Sequence, residues 1–349
     1  MTKQNLTHAM AALILAAGIL TLGCSKNNNE DQLAEATPNL DSIGAQVAHR
    51  QLESTPPQTS TNRVVEKDES VILSTVYDVL VIDSTAYAVY DGGLVVTDLT
   101  TGLNKTIQTE EPLFAVVRHN DQLYAGGSRL YRLVDSALVP LVTEYEGTVS
   151  ALYSYGAILL IGTENGLYSR TLFGDIQLMG DVWVTAIEAD NDGVWIGTDG
   201  DGLYRWDGQT FARRYLKRDS SLFDYVNCIE YSRGHLYVGT STGLYINNGG
   251  KWQTLTSDNG LPSNTVTSVD ASGWIVYVGT DEGLVTWFNN QFKPVGKLES
   301  VSVTKIQSSS RGVFVATEGD GLYQKSGAAV KMLFGPDLGE GTGSLSMVF

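Results

Sequence analysis

Apolar and polar residues alternate in short bursts along most of this chain, and turn-forming residues cut each burst off after five to seven positions. Thr265 to Asp270 (TVTSVD) alternates, and Trp274–Gly279, Gly283–Phe288 and Gln291–Val295 follow within a few residues of one another. A period of two predicts strands, and the gaps are too short for a helix. The punctuation is hairpin chemistry: Ser272-Gly273, Asp281-Glu282-Gly283 and Asn289-Asn290 here, with Asn191-Asp192-Gly193, Asp207-Gly208, Asn248-Gly249-Gly250 and Ser326-Gly327 elsewhere. Each such unit therefore reads as four short strands, the second of them apolar on both faces, as a sheet packed between two neighbours requires.

The unit recurs. Tyr277–Leu284 (YVGTDEGL) has close copies at Tyr237–Leu244, Leu160–Leu167 and Trp195–Leu203, and weaker ones at Phe314–Leu322, Tyr124–Leu130 and Tyr87–Leu94. Aligned on the Thr position, the copies fall at Tyr90, Gly127, Thr163, Thr198, Thr240, Thr280 and Thr317, spaced by 37, 36, 35, 42, 40 and 37 residues. Four-stranded units of that period predict an all-β fold, a seven-bladed β-propeller of four-stranded antiparallel blades, spanning residues 70–349. A Gly precedes the Thr position in the five central copies; the first copy has Val89 there and the last has Ala316. Ser70–Ser74 or Ser344–Phe349 could add a strand across the seam, and the N-terminal segment is expected to join the last blade.

The copy Leu255–Leu284 holds Asn259-Gly260-Leu261-Pro262-Ser263-Asn264, Val266, Val269, Asp270, Tyr277-Val278-Gly279-Thr280 and Gly283-Leu284. In these features, and over about residues 75–335, the chain resembles the two-component regulator propeller repeat family. That resemblance implies an extracytoplasmic sensor propeller of the kind found in hybrid histidine kinases that detect carbohydrates, with no catalytic residues in the repeats. The sequence departs from those receptors in showing one ring, with no sandwich domain, transmembrane helix or kinase, so the resemblance carries over a scaffold and a capacity to bind.

The N-terminal region changes the picture of where the ring resides. Lys3 is the only charged residue before Cys24, and Ala9–Leu22 is an unbroken apolar run of 14 residues, short of the ~20 needed to span a bilayer. Residues 1–23 are read as a lipoprotein signal peptide. Leu20-Thr21-Leu22-Gly23-Cys24 resembles a bacterial lipobox, which implies that Cys24 is lipidated. Residues 24–69, rich in Asn, Gln, Ser, Thr and Pro, read as a disordered polar tether, and Ser25 after the Cys resembles lipoproteins sorted to the outer membrane, facing the periplasm. Cys228 is then left as a lone thiol in an apolar context.

Charge and metal chemistry narrow the partners. With 23 Lys and Arg against 39 Asp and Glu the net charge is −16, which disfavours nucleic acid. Four His without ligand spacing and two Cys point to no metal centre, and no cofactor is expected.

In a four-stranded meander the second-to-third turns share a face with the blade connections. Asp91, Glu164, Asp199, Asp201, Asp281, Glu282, Glu318 and Asp320 fall in those turns, and further acids fall in the connections. That acidic face is the candidate ligand or cation site, against the plain alternative that Asp and Glu here cap local turns. Trp183 and Phe223 in connections, with Arg213, Arg214, Lys217 and Arg218 around an insertion, form a candidate partner surface. No Ser, His and Asp constellation marks an enzyme. The reading is a non-enzymatic binding or sensor module for a ligand, glycan among the candidates, or an envelope protein, held to the membrane by lipid. An outer-membrane assembly scaffold and a propeller lyase or hydrolase are the alternatives.

Overall fold

A computed structural model of the chain describes residues 75–142, 145–214, 225–271 and 274–335. The signal peptide, Cys24, the tether and both segments considered for ring closure lie outside these residues. Among the described residues, seven four-stranded antiparallel sheets form, each a meander of consecutive strands. The chain is a seven-bladed propeller. In the sixth repeat the strands are Val266–Asp270, Val276–Thr280, Gly283–Phe288 and Gln291–Pro294, within two residues of the positions expected from sequence.

The first strands of the blades are β1 (Val76–Ile82), β5 (Leu113–His119), β9 (Val149–Tyr155), β13 (Val184–Asp190), β17 (Val226–Ser232), β21 (Val266–Asp270) and β25 (Val303–Ser309). Each packs on the next, and β25 packs on β1, so these strands line the axis and the ring is closed. The meander puts second-to-third turns and blade connections on one side, here the connection face, and the other two turn sets on the opposite turn face.

The repeated Gly-Thr pair has a steric and a polar cause. A Cβ on Gly162, Gly197 or Gly279 would come within 2.5, 2.6 and 2.5 Å of Val184, Val226 and Val303, each the first residue of the next blade's first strand. Gly126 against Val149 and Gly239 against Val266 repeat the contact. Where Thr follows, it is fully buried and donates its hydroxyl to the carbonyl of a Gly at the start of the third strand, as Thr163, Thr240 and Thr280 do to Gly166, Gly243 and Gly283, the last at 3.0 Å. Gly283 itself has φ 150°, and a Cβ there would strike the Glu299 carbonyl oxygen. Ala316 instead packs in one cluster with Val76, and Val89 with Leu113, so the exceptions to the Gly rule fall at the two blades that meet at the seam.

Blades are also joined by side chains reaching the neighbour's backbone. The second residue of a first strand donates to the carbonyl of the first residue in the next blade: Ser150 to Val184 at 2.5 Å, Thr185 to Val226 at 2.5 Å, Asn227 to Val266 at 3.0 Å and Thr267 to Val303 at 2.6 Å. Thr304 does the same to Val76, across the seam. Between the first and second blades Tyr77 meets Phe114 edge-on instead, with centroids 4.9 Å apart.

Among the described residues, 303–334 supply four strands of the last blade, ending in β28 (Ala329–Phe334). A hydrophobic cluster joining Val76, Val79, Phe314, Ala316 and Leu322, and the Asn104 amide donating to the Leu333 carbonyl at 2.9 Å, hold the first and last blades together. Replacing Gly279 by Ala is expected to cost about 1–3 kcal/mol through overpacking against Val303; urea unfolding that finds the variant as stable as the parent would refute the contact's importance.

Candidate functional site

The acids of the connection face are spread around the rim, and three of them are occupied locally. Asp91 accepts from the Thr75 amide at 3.0 Å and the Tyr77 hydroxyl at 2.7 Å. Glu164 accepts from the Thr148 amide at 2.5 Å, and Glu318 from the Ser302 hydroxyl at 3.0 Å. Each pins its turn to the residue just ahead of the same blade's first strand. Asp199 forms an isolated bridge to Tyr225, while Asp201, Asp281 and Glu282 are exposed and Asp320 is partly buried. Among the described residues no group of three or more His, Cys, Asp and Glu is arranged to hold a metal. On the candidate partner surface, Trp183 is 45% exposed in its connection, and Arg213 and Arg214 end the strand Phe211–Arg214. Lys217, Arg218 and Phe223 lie outside the described residues.

A second set of titratable groups, not singled out from sequence, lies around the axis. At the third and fifth positions of several first strands, polar side chains reach the next blade and accept amides that the innermost strand edge leaves without a sheet partner. Asp78 takes the Val116 N–H at 3.0 Å, Ser268 takes Ile306 at 2.9 Å, Asp270 takes Ser308 at 2.6 Å and Gln307 takes Val81 at 2.7 Å. Along the fifth position, Tyr153, Glu188, Glu230 and Asp270 come from four successive blades. Burial, with Glu230 beside it, pushes Glu188 up to about 8, while a hydrogen bond from Tyr153 and the positive Lys305 act the other way. Burial and Asp270 push Glu230 up to about 7. Lys305 sits 3.7 Å from Asp78, with 47% of its side chain open to the channel. Asp78 holds the Lys305 ammonium above its ordinary range, and burial raises the Asp78 carboxyl.

Other sequence candidates resolve into packing. Trp195 donates its indole N–H to Asp190 at 2.7 Å and lies under the Arg205 guanidinium at 4.5 Å, while Arg205 and Asp190 form a nearly buried ion pair. Cys228 is a free thiol that burial pushes up to about 12, so it is not a nucleophile near neutral pH. His119 is buried between the second and third blades against Ser154 at 2.9 Å, and burial lowers its pKa.

A concavity lies on the turn face of the sixth blade. A groove of about 790 Å³ is lined by Trp274, Ile275, Thr286, Phe288, Asn289, Gln291 and Lys293. Trp274 is 83% exposed and Phe288 50%, in turns where polar residues would suffice. The Arg233 guanidinium of the fifth blade lies 4.7 Å from the Trp274 ring centre and orients the indole. Asn289 and Asn290 both have positive φ, 50° and 58°, the conformation of a tight hairpin that sets one lip of the groove. The face expected from sequence to bind is the other one; the signal in the sequence that could have found this groove is the apolar Trp274-Ile275 pair directly after Ser272-Gly273.

Neither a protein-family model nor a curated protein matches the chain. Solved structures do. The extracellular domain of a protein assigned to a one-component system of B. thetaiotaomicron aligns with 71% of this chain at TM-score 0.62 and 18% identity. The extracellular domain of one assigned to a hybrid two-component system of the same organism aligns with 71% at 0.60 and 16%. The chain spans 38% of the length of each. The WD40 β-propeller domain of Doa1 aligns over 72% of this chain and 92% of its own length, at 0.58 and 16%. Likeness at identities this low shows the fold alone.

The axial carboxyls give the fold a definite pH dependence. Glu188 and Glu230 are raised in the folded state above the unfolded value of 4.5, so the stability they contribute is complete below about pH 4.5 and is lost as pH climbs through about 7 and 8. The double variant Glu188→Gln, Glu230→Gln is expected to melt several degrees above the parent at pH 8.5 and close to it at pH 5. Parallel melting curves for the two proteins across that range would contradict the assignment.

Proposed function

We propose that this chain is a non-enzymatic binding module of the bacterial envelope, a propeller held by lipid at Cys24 and displayed on its polar tether, which recognises a ligand, glycan foremost, on one face of the ring. The observation that carries the reading is the sixth-blade groove, where Trp274 and Phe288 stay exposed beside Thr286, Asn289, Gln291 and Lys293. Its volume lies within the roughly 300–1,000 Å³ of small-ligand sites, and aromatic faces ringed by amides and a hydroxyl suit a sugar. By contrast, the carboxylates gathered at the axis serve the backbone: Asp78, Asp270 and Glu230 are engaged with amides of the neighbouring blade. The extracellular sensor domains among the structural neighbours share this scaffold and support placing it outside the cytoplasm.

The sequence expectation put binding on the connection face; we place it on the turn face, because Asp91, Glu164 and Glu318 on the former are already committed to local bonds. Ligand that binds only the folded ring raises its stability by about 2.7 kcal/mol at a hundredfold excess over Kd. Thermal melts of the full chain against polysaccharide and peptide fractions of the envelope are expected to show stabilisation by a saccharide fraction; no shift with any fraction would sink the reading. Mass spectrometry of the mature protein is expected to find acylated Cys24, with Cys24→Ser released from membranes. Unacylated wild-type material would overturn the anchor.

A further inference from the structure

Charge is distributed unevenly on the turn face. In the first four blades its turns carry Asp83, Asp121, Asp135, Asp192 and Asp207. In blades five to seven the corresponding turns hold no Asp or Glu; Arg233 and Arg311 stand in them, Lys251 and Lys325 on the strands they join and Lys293 just beyond on the groove wall, while Asp270 at the end of β21 is engaged with the Ser308 amide. In a chain of net charge −16 this is a basic sector, and the aromatic groove sits in its middle blade. Arg233 is already seated on Trp274, so the indole and the positive charge act on the same volume.

Resting on the binding-module reading, we infer that the turn face of blades five to seven binds an acidic oligosaccharide, one whose pyranose rings carry carboxylates. Two features of the sector select that class. The exposed indole offers a flat apolar surface to the C–H face of a sugar ring, which a bare phosphate or an extended peptide acid would not use. Lys293 lies in the groove with Asn289 and Gln291, placing an ammonium and two amides where ring hydroxyls and a carboxylate would fall. Arg233, Lys251, Arg311 and Lys325 flank the groove on the adjoining blades, so the charge extends past one sugar and favours a chain over a monosaccharide. Acids elsewhere on the ring repel such a polymer and confine it to this sector.

The test is calorimetric titration of the full chain at low salt with hexagalacturonate, maltohexaose as the neutral equivalent, and phosphatidylglycerol vesicles as an anionic lipid surface. Hexagalacturonate is expected to bind at least tenfold more tightly than maltohexaose and to weaken steeply as salt rises. Trp274→Ala is expected to reduce its affinity tenfold or more, and Trp274→Phe to stay within threefold of wild type. Lys293→Gln is expected to lower affinity severalfold and flatten the salt dependence. Binding unchanged in Trp274→Ala, or no binding of hexagalacturonate, overturns the inference. Equal or tighter binding of maltohexaose removes the acidic class while leaving the groove as a sugar site. Binding of vesicles alone replaces the glycan with a membrane. In each case stabilisation by a saccharide fraction of the envelope would still uphold the broader reading, which separates its failure from this one.

Discussion

The contact on which the ring depends is the one between a glycine in the second strand of each blade and a valine that opens the first strand of the next. Where Gly162 meets Val184 and Gly279 meets Val303 there is no room for a β-carbon, so adjacent sheets approach at a distance fixed by the backbone of one and a branched side chain of the other. Such a spacing, repeated at a constant rotation, closes only at one blade number. The seam supports this view: no strand is exchanged among the described residues, and Ala316 against Val76 continues the sequence of small-against-valine contacts with one extra methyl group.

Closing the ring turns seven strand edges toward the axis, and their amides must be met. Asp78, Ser268, Asp270, Gln307 and Glu230 meet them from the blade before. Burial of these acceptors, and then their mutual repulsion when charged, raises the carboxyls of Glu188 and Glu230, relieved in part by Lys305. The polar axis is therefore explained as a structural requirement of the inner edges. This shifts attention from the channel to the faces when binding is considered.

Much of the architecture was legible because it is local. The Gly-Thr pair, the hairpin residues such as Asn289-Asn290 and the alternation of Thr265–Asp270 report strand length and turn type within a few positions. The Asn259–Asn264 motif is equally local: the Asn264 side chain accepts the Ser257 amide at 2.8 Å while Leu261 plugs the core. What was not legible depends on angles between blades. Glu188 and Glu230 look like ordinary strand acids 42 residues apart, and only the rotation of one blade onto the next brings them into coulombic contact. The acids of the connection face were placed correctly by topology, yet their engagement at Asp91 and Glu164 rests on chain ends that approach only after the meander folds. Trp274 was visible as one of six tryptophans; that it alone stands 83% exposed over a groove required knowing where its turn projects.

The two faces then follow different physical rules. On the connection face, Asp91, Glu164 and Glu318 in turns between second and third strands accept from Thr75, Thr148 and Ser302, each just ahead of its blade's first strand, so part of the negative charge there serves the fold. The turn face has no such demand: type I′ hairpins close on Asn-Asn or Gly-Gly as readily as on Asp, as Asn289-Asn290 and Gly249-Gly250 do here. Asp207 caps its own turn in the fourth blade, but the Asn-Asn and Gly-Gly turns need no such acceptor, and composition there can vary from blade to blade. An exposed indole, a guanidinium stacked on it and turns without Asp or Glu on this face of three consecutive blades are departures the fold does not require. Features that a scaffold neither needs nor benefits from are where selection for recognition is most directly visible, and in this ring they fall together on blades five to seven.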